Sequence, residues 1–155
     1  MSGLLAQMEA SGLATWVRES PSIWAYPTIL TLHSIGLGIV VGASVVIDLR
    51  LMGRARSLEM ADLAALFPVL WWAFAVNALT GVLLFISDAT RKGAQPIFFV
   101  KLACIALALL VTLRTRSMLA GTETASRVAS PKALAVVSIV LWLAAIAAGR
   151  LMAYL

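Results

Sequence analysis

One histidine and two basic residues lie inside apolar stretches of the sequence, where ionisable side chains are uncommon. His33, Lys101 and Arg150 are each flanked by runs of hydrophobic residues. An ionisable group inside a membrane costs about 3 kcal/mol or more and usually marks a functional site. Because neutral imidazole is the commonest metal ligand, His33 is a candidate to bind a metal ion. The two cations are candidates to hold anionic groups beside it.

A deep imidazole combined with two shallower cations has the shape of a binding site for haem b. In such a site the iron lies deep in the membrane and two propionates point toward an interface. Gly36 lies one turn after His33, and Gly38 and Gly42 follow. Glycines beside an axial histidine remove the Cβ atoms that would meet a flat macrocycle. Apolar walls are available from Phe74, Phe85, Phe98, Phe99, Trp71, Trp72 and Trp142.

The number of histidines constrains how such a haem is bound. Most four-helix b-type cytochromes use two histidines for each haem, and this chain has one. Three arrangements are open: a five-coordinate iron, a sixth ligand from Met152, or one haem on a two-fold axis that receives His33 from each of two subunits. The pattern Gly38-x-x-x-Gly42 allows close helix approach, so we predict a homo-oligomer, most simply a dimer.

Simpler interpretations and other functions stand beside the haem hypothesis. A lone membrane histidine can hydrogen-bond across helices, the glycine pattern more often serves helix packing, and Lys101 and Arg150 can extend to the headgroups. A non-haem transporter or channel subunit would use His33 and these two cations to bind an anion or relay protons. A structural accessory subunit of a respiratory complex is the third class. No catalytic residue is assigned.

The composition defines the elements that must position these residues. Of 155 residues, 62% are hydrophobic and 12% are charged, whereas a soluble domain has about 25% charged residues. A membrane-spanning helix needs about 20 apolar residues, which predicts spans at about 23–49, 63–86, 96–113 and 133–155 in a single domain. Residues 3–19 predict an amphipathic surface helix. We therefore expect an all-α fold, a four-helix transmembrane bundle in a lipid bilayer.

The basic residues predict the orientation of the bundle. The net charge is +5, but the basic residues lie at the ends of apolar segments, which is typical of topology signals and not of nucleic-acid binding. Two links carry seven of them and are predicted to be cytoplasmic: Arg50, Arg54, Arg56, Arg114, Arg116, Arg127 and Lys132. The opposite side carries Arg18, Arg91 and Lys92. Both termini are then outside, which in a bacterium is the periplasm.

This orientation gathers the polar residues of the spans in the outer half of the bundle. Asn77 and Thr80 in the second span join His33, Lys101 and Arg150 there, and Asn77 is included in the cofactor site. No comparable set is expected in the inner half. Asp48 lies close to Arg50 in the sequence, and the two are expected to pair and to anchor the inner end of the first span. The predicted function is electron transfer, with a quinone or a periplasmic redox partner.

Two stretches resemble a group of bacterial haem-linked membrane proteins. The stretch LTLHSIGLGIVVGASVVIDLRLMG resembles the first span of that group, and FFVKLACIALALLVTLRTR resembles its VKL-containing span. The group includes the CopD-type copper-resistance proteins and the HemJ-type protoporphyrinogen oxidase. The whole chain resembles a family of small four-span bacterial membrane proteins. The resemblance implies that His33 is the axial haem ligand and that Lys101 lies near the haem. The further histidines of the oxidase and a copper-binding His/Met cluster are missing.

Overall fold

The computed structural model describes residues 2–55, 57–121 and 130–154. These residues form seven helices and no strands, which confirms the all-α prediction. Arg56, Arg127 and Leu155, which entered the predicted orientation and the predicted last span, lie outside the described residues. The helices are α1 (Ser2–Glu9), α2 (Gly12–Glu19), α3 (Tyr26–Leu51), α4 (Met60–Ile86), α5 (Ala89–Ala94), α6 (Pro96–Leu119) and α7 (Pro131–Leu151).

Four of the helices, α3, α4, α6 and α7, are long and apolar enough to cross a membrane. Proline occupies the first turn of α3, α6 and α7, where its missing N–H leaves no hydrogen bond unmade. Large apolar side chains cover their outward faces, as Trp72 and Leu79 do on α4. The chain is therefore a multi-pass membrane protein. Helix α6 continues to Leu119, beyond the predicted end of its span at 113.

The four long helices pack mainly as neighbours along the chain. Helix α3 packs on α4, α6 packs on α7, and α3 packs on α7, whereas α4 and α6 approach each other at few points. The middle of the bundle is an apolar core of Val40, Ala43, Leu70, Ala73, Ala108 and Trp142. A second apolar cluster, formed by Ile47, Leu63 and Phe67, lies closer to the end of α3. We call the end where α3 and α6 begin the α5 end, and the other the opposite end.

The predicted surface helix over residues 3–19 is two helices in the structure. Ser11 ends the continuity because its Oγ donates to the Met8 carbonyl at 2.7 Å and accepts from the Ala14 N–H at 3.3 Å. The second of these bonds caps α2. Serine prefers such capping positions because its short side chain satisfies a free backbone N–H. The prediction of helical structure is confirmed on both sides of the break, but the break itself was missed.

Helices α1 and α2 pack against the α5 end of the bundle. The Glu9 carboxylate accepts a hydrogen bond from the Thr90 N–H at 2.9 Å, and Arg18 donates to the Ser87 carbonyl at 3.2 Å. Leu5 lies against Gly93, where a Cβ atom would come within 2.9 Å of Leu5 Cδ1. The two short helices are thereby fixed to the segment that joins α4 to α6.

Glu9 makes the packing of α1 dependent on pH. Its hydrogen bonds with Thr90, helped by Arg18 and Lys92, lower the pKa of Glu9 below its usual value. The contact is therefore fully present above the unfolded pKa of about 4.3 and is lost as the pH falls through the lowered folded pKa. Glu9→Gln should speed amide exchange in α1 about two- to fivefold at pH 7, as measured by hydrogen–deuterium exchange.

Glu19→Gln is the matched control, because it removes the same charge from an exposed carboxylate whose partner is Arg18. It should leave exchange in α1 unchanged. Wild-type protein at acidic pH should approach the exchange of Glu9→Gln, after correction for the intrinsic pH dependence of exchange. Equal exchange in both variants would contradict the role given to Glu9.

Candidate functional site

The His33 side chain is held in one tautomer by α4. Its Nδ1 lies 3.0 Å from the Asn77 carbonyl oxygen and 3.1 Å from Thr80 Oγ1. A carbonyl oxygen can only accept, so Nδ1 carries the proton and donates it. Nε2 then holds a lone pair, and no partner for it occurs among the described residues. A donor bond from one ring nitrogen to a carbonyl is the usual support for metal binding by the other.

Two glycines allow α3 and α4 to approach closely around this histidine. A Cβ atom at Gly36 would lie 3.1 Å from the Ala73 carbonyl oxygen, and one at Gly81 would lie 3.1 Å from His33 Cε1. Asn77 Nδ2 also donates to the His33 carbonyl at 2.7 Å, so Asn77 and His33 are bonded in both directions. Gly36, predicted to leave room for a cofactor, is thus located against the backbone of α4. Gly81 was not predicted, although it lies one turn after Asn77.

Lys101 reaches the same level of the bundle from α6. Its side chain is half-buried and runs along α7, where a Cβ atom at Gly149 would lie 3.5 Å from Lys101 Nζ. Its charge is close enough to act on His33. His33 on α3 and Lys101 on α6 therefore lie at the same end of the bundle, with no hydrogen bond between them among the described residues.

Lys92 is a further cation at this level, and sequence reasoning assigned it only to topology. Its Nζ donates to the Leu84 carbonyl oxygen, and its charge interacts with Lys101. Burial lowers the pKa of Lys92, while the neighbouring Asp88 carboxylate opposes that shift. Lys92 lies four residues before Pro96, where α6 begins. Lysines just outside a span usually face the lipid headgroups, so the sequence did not indicate that this side chain turns toward the bundle.

Arg150 and the predicted aromatic walls are arranged differently from His33 and Lys101. Arg150 is exposed and has no ion pair within the described part of the chain. Phe85 and Phe98 stack on each other across α4 and α6, with ring centroids 4.8 Å apart. Trp71 and Phe74 form an edge-to-face pair beside the central core, which includes Trp142, whereas Trp72 and Phe99 are exposed. Met152 is half-buried near the end of α7.

Gly38 and Gly42 lie on a face of α3 that no other part of the described chain covers. A Cβ atom at either position would meet nothing within 4 Å. Ile35 and Ile39 are exposed on this side of the helix. The two glycines therefore serve no helix contact within the described part of the chain.

The prediction that the inner half has no polar set is wrong. Asp48 is 3% exposed, and Ser44, Thr112, Thr115 and Ser138 are similarly buried. The expected pairing of Asp48 with Arg50 is also wrong, because Arg50 Nε donates to the Leu58 carbonyl at 2.9 Å and Asp48 interacts with Ser138 on α7. Each serine or threonine is unremarkable in the sequence, and the set exists only because three helices meet.

The arrangement offers a single imidazole as a metal ligand. No group of three or more His, Cys, Asp or Glu side chains that could hold a metal ion occurs in residues 2–55, 57–121 and 130–154. Comparison with models of protein families, with curated proteins and with solved structures finds no match for this chain. The fold and the site define a multi-pass α-helical membrane protein with a histidine-centred polar site at one end of its bundle.

Gly81 gives a test of the packing around His33. Alanine usually stabilises a helix by about 1 kcal/mol relative to glycine, but Gly81→Ala would place its methyl group against the imidazole. We expect a net loss of about 1 kcal/mol in the free energy of unfolding, or about 2–4 °C in Tm, measured by thermal unfolding in detergent.

Gly12→Ala is the matched control, because a Cβ atom at this exposed helical position would meet nothing within 4 Å, and it should not lower the Tm. In a His33→Ala background the loss caused by Gly81→Ala should disappear, since the two side chains no longer meet. A similar loss in both glycine variants would show that the contact with His33 is not its cause.

Proposed function

We propose that the protein binds haem b in the membrane through His33 and takes part in electron transfer. The observation that carries the proposal is the hydrogen bond from His33 Nδ1 to the Asn77 carbonyl, which leaves Nε2 as a lone-pair donor without a partner among the described residues. The half-buried ring leaves Nε2 available to a ligand.

The residues around His33 fit an axial ligand and its acidic substituents. Asn77 and Thr80 hold the imidazole in orientation, and the donor bond to a carbonyl raises its basicity as a ligand. The ammonium groups of Lys101 and Lys92 supply positive charge at the same level, where they would neutralise propionates. Arg150 would serve as an additional cation near the end of α7. When bound, haem supplies one-electron chemistry, which this chain's side chains do not provide.

The open face of α3 supports the proposed homodimer. A Cβ atom at Gly38 or Gly42 would meet nothing within 4 Å among the described residues, and glycines at such spacing let two helices approach closely. Two copies joined there would form an isologous interface. His33 faces α4, about 140–180° around α3 from Gly38 and Gly42, so this interface would not bring two copies of His33 to one iron. The sixth ligand would then come from Met152, or the iron would be five-coordinate, and a haem shared by two copies of His33 would need a different interface.

The proposed location is the cytoplasmic membrane of a bacterium, with both termini in the periplasm. The support is the excess of Lys and Arg in the two links at the opposite end of the bundle, which favours a cytoplasmic position for those links. His33 would then lie in the periplasmic half of the membrane. A quinone in the membrane or a periplasmic redox protein would be the electron partner.

A second candidate function is anion binding in a transporter or channel subunit. The observation that favours it is the concentration of positive charge: Lys92 and Lys101 interact with each other and with His33. A structural accessory subunit of a respiratory complex is the third class, and it would contain neither chromophore nor anion site.

The visible spectrum decides between these functions. Wild-type protein expressed with supplied haem should show a Soret band. His33→Ala should lose it while remaining inserted, because insertion depends on apolar length. Ser34→Ala is the matched control, since Ser34 is exposed and bonds only to the Leu30 carbonyl. Absence of a Soret band in wild type rejects the haem proposal, and an unchanged band in His33→Ala rejects the ligand assignment.

The role of Lys101 can be measured separately. Lys101→Met should speed the loss of haem, because removing one partner of a buried ion pair leaves the other charge uncompensated. Since Lys101 is only half-buried, we expect a moderate effect of about tenfold. Lys132→Met, an exposed lysine in the first turn of α7, should have no effect. If wild type shows no Soret band but gains thermal stability with sulfate, and Lys101→Met abolishes that gain, the anion site is supported instead.

A further inference from the structure

A small polar cavity lies near the opposite end of the bundle, where α3, α6 and α7 meet. Its polar lining consists of Ser44, Asp48, Thr112, Thr115 and Ser138, and Ile47 and Phe67 complete it. All five polar residues are at least 94% buried. The volume open to the centre of a water molecule inside this cavity is about 10 Å³. The cavity therefore has room for one particle of that size.

Two of the polar atoms that line this cavity have no hydrogen-bond partner in the part of the protein that the structure describes. Asp48 Oδ2 and Ser44 Oγ have no hydrogen-bond partner within the described chain. Thr112 Oγ1 donates its proton to the Ala108 carbonyl of its own helix at 2.9 Å, so it can offer only lone pairs to the cavity. Ser138 interacts with the Asp48 carboxyl. The cavity is therefore lined mainly by oxygen atoms that can accept or coordinate.

The carboxylate of Asp48 has no cationic partner in the described part of the chain. Arg50, two residues away, donates to the Leu58 carbonyl. Arg114 and Arg116 on α6 are exposed. A buried carboxylate without a counter-charge is strongly unfavourable, so Asp48 must either take a proton or share the cavity with a cation.

We propose that this cavity binds one monovalent metal cation, with Na⁺ as the fitting ion. Carboxylate and hydroxyl oxygens are hard ligands that suit hard cations. A single carboxylate balances a single positive charge, and a divalent ion would be left undercompensated. The lining has no sulfur or imidazole ligand for a transition metal. The available space holds one particle and excludes an ion that keeps its hydration shell.

The bound cation would connect three helices, because the oxygen atoms that surround it come from all three. Asp48 and Ser44 come from α3, Thr112 and Thr115 from α6, and Ser138 from α7. Binding would therefore hold the α6–α7 pair against α3. This inference is independent of the proposed haem site. Along α3, Ser44 lies about 16 Å from His33.

The test is thermal unfolding of the full chain in detergent, with NaCl or choline chloride at equal ionic strength. NaCl should raise the Tm of wild type by about 3–6 °C in a saturable manner, and radioactive Na⁺ should bind at one ion per chain. LiCl is expected to replace NaCl in part, and KCl to have a smaller effect because the cavity is small.

Asp48→Asn should abolish the Na⁺ effect and should be as stable in choline chloride as wild type is in NaCl. Ser44→Ala should weaken the apparent Na⁺ affinity about tenfold, and this variant decides the question if Asp48→Asn does not fold. The matched controls are Asp62→Asn and Ser34→Ala, since both residues are exposed. Both should keep the wild-type Na⁺ response.

Three results would overturn the proposal. A wild-type Tm that is equal in NaCl, LiCl and choline chloride would show that water alone occupies the cavity. A Tm that changes with pH but not with any cation would show that Asp48 takes a proton instead. A Na⁺ effect that persists in both Asp48→Asn and Ser44→Ala would place the ion elsewhere on the protein.

Discussion

The fold depends on the rule that polar groups inside a bilayer must find partners within the protein, because lipid offers none. The backbone meets the rule by forming helices, and two polar side chains of α3 meet it by turning toward neighbouring helices. His33 donates to the Asn77 carbonyl on α4 and its own carbonyl accepts from Asn77. Asp48 turns toward Ser138 on α7. These contacts fix the rotation of α3, and the apolar core then packs around that rotation.

The glycines follow from the same contacts. A hydrogen bond between the backbone of one helix and a side chain of its neighbour requires the helix axes to be close. Gly36 and Gly81 make that approach possible, since each would carry a Cβ atom within 3.1 Å of an atom of the other helix. A glycine inside a helix lowers its stability by about 1 kcal/mol relative to alanine, and at these two positions the interhelical contacts offset that cost. At Gly38 and Gly42 no interhelical contact within the described chain offsets this cost.

The number of spans could be predicted from the sequence, because the bilayer sets their length. The side chains that meet between helices could not, because they depend on how each helix is rotated. Apolar length predicted four spans because it is what a membrane requires, but it reports where lipid ends and not where a helix ends. Helix α6 therefore continues through Arg114 and Arg116 to Leu119. His33, Asn77 and Lys101 stood out because polar groups are conspicuous in apolar runs. The cavity beside Asp48 was missed, because its four hydroxyl residues come from three helices whose facing sides no single sequence window records.

The two polar levels are separated by a layer that bears on the choice of function. Val40, Leu70 and Trp142 fill the bundle between His33 and Ser44 with apolar side chains that are at least 98% buried. An anion or proton that crosses the membrane needs polar partners or water along its path, and this layer offers the indole N–H groups of Trp71 and Trp142, which have no partner among the described residues. Transport through one chain would require the core to open. Electron transfer requires no such path, since an electron can leave a group near His33 toward the α5 end without crossing this layer. An indole N–H can donate to an anion but cannot pass a proton on, so this layer opposes proton relay through a single closed chain.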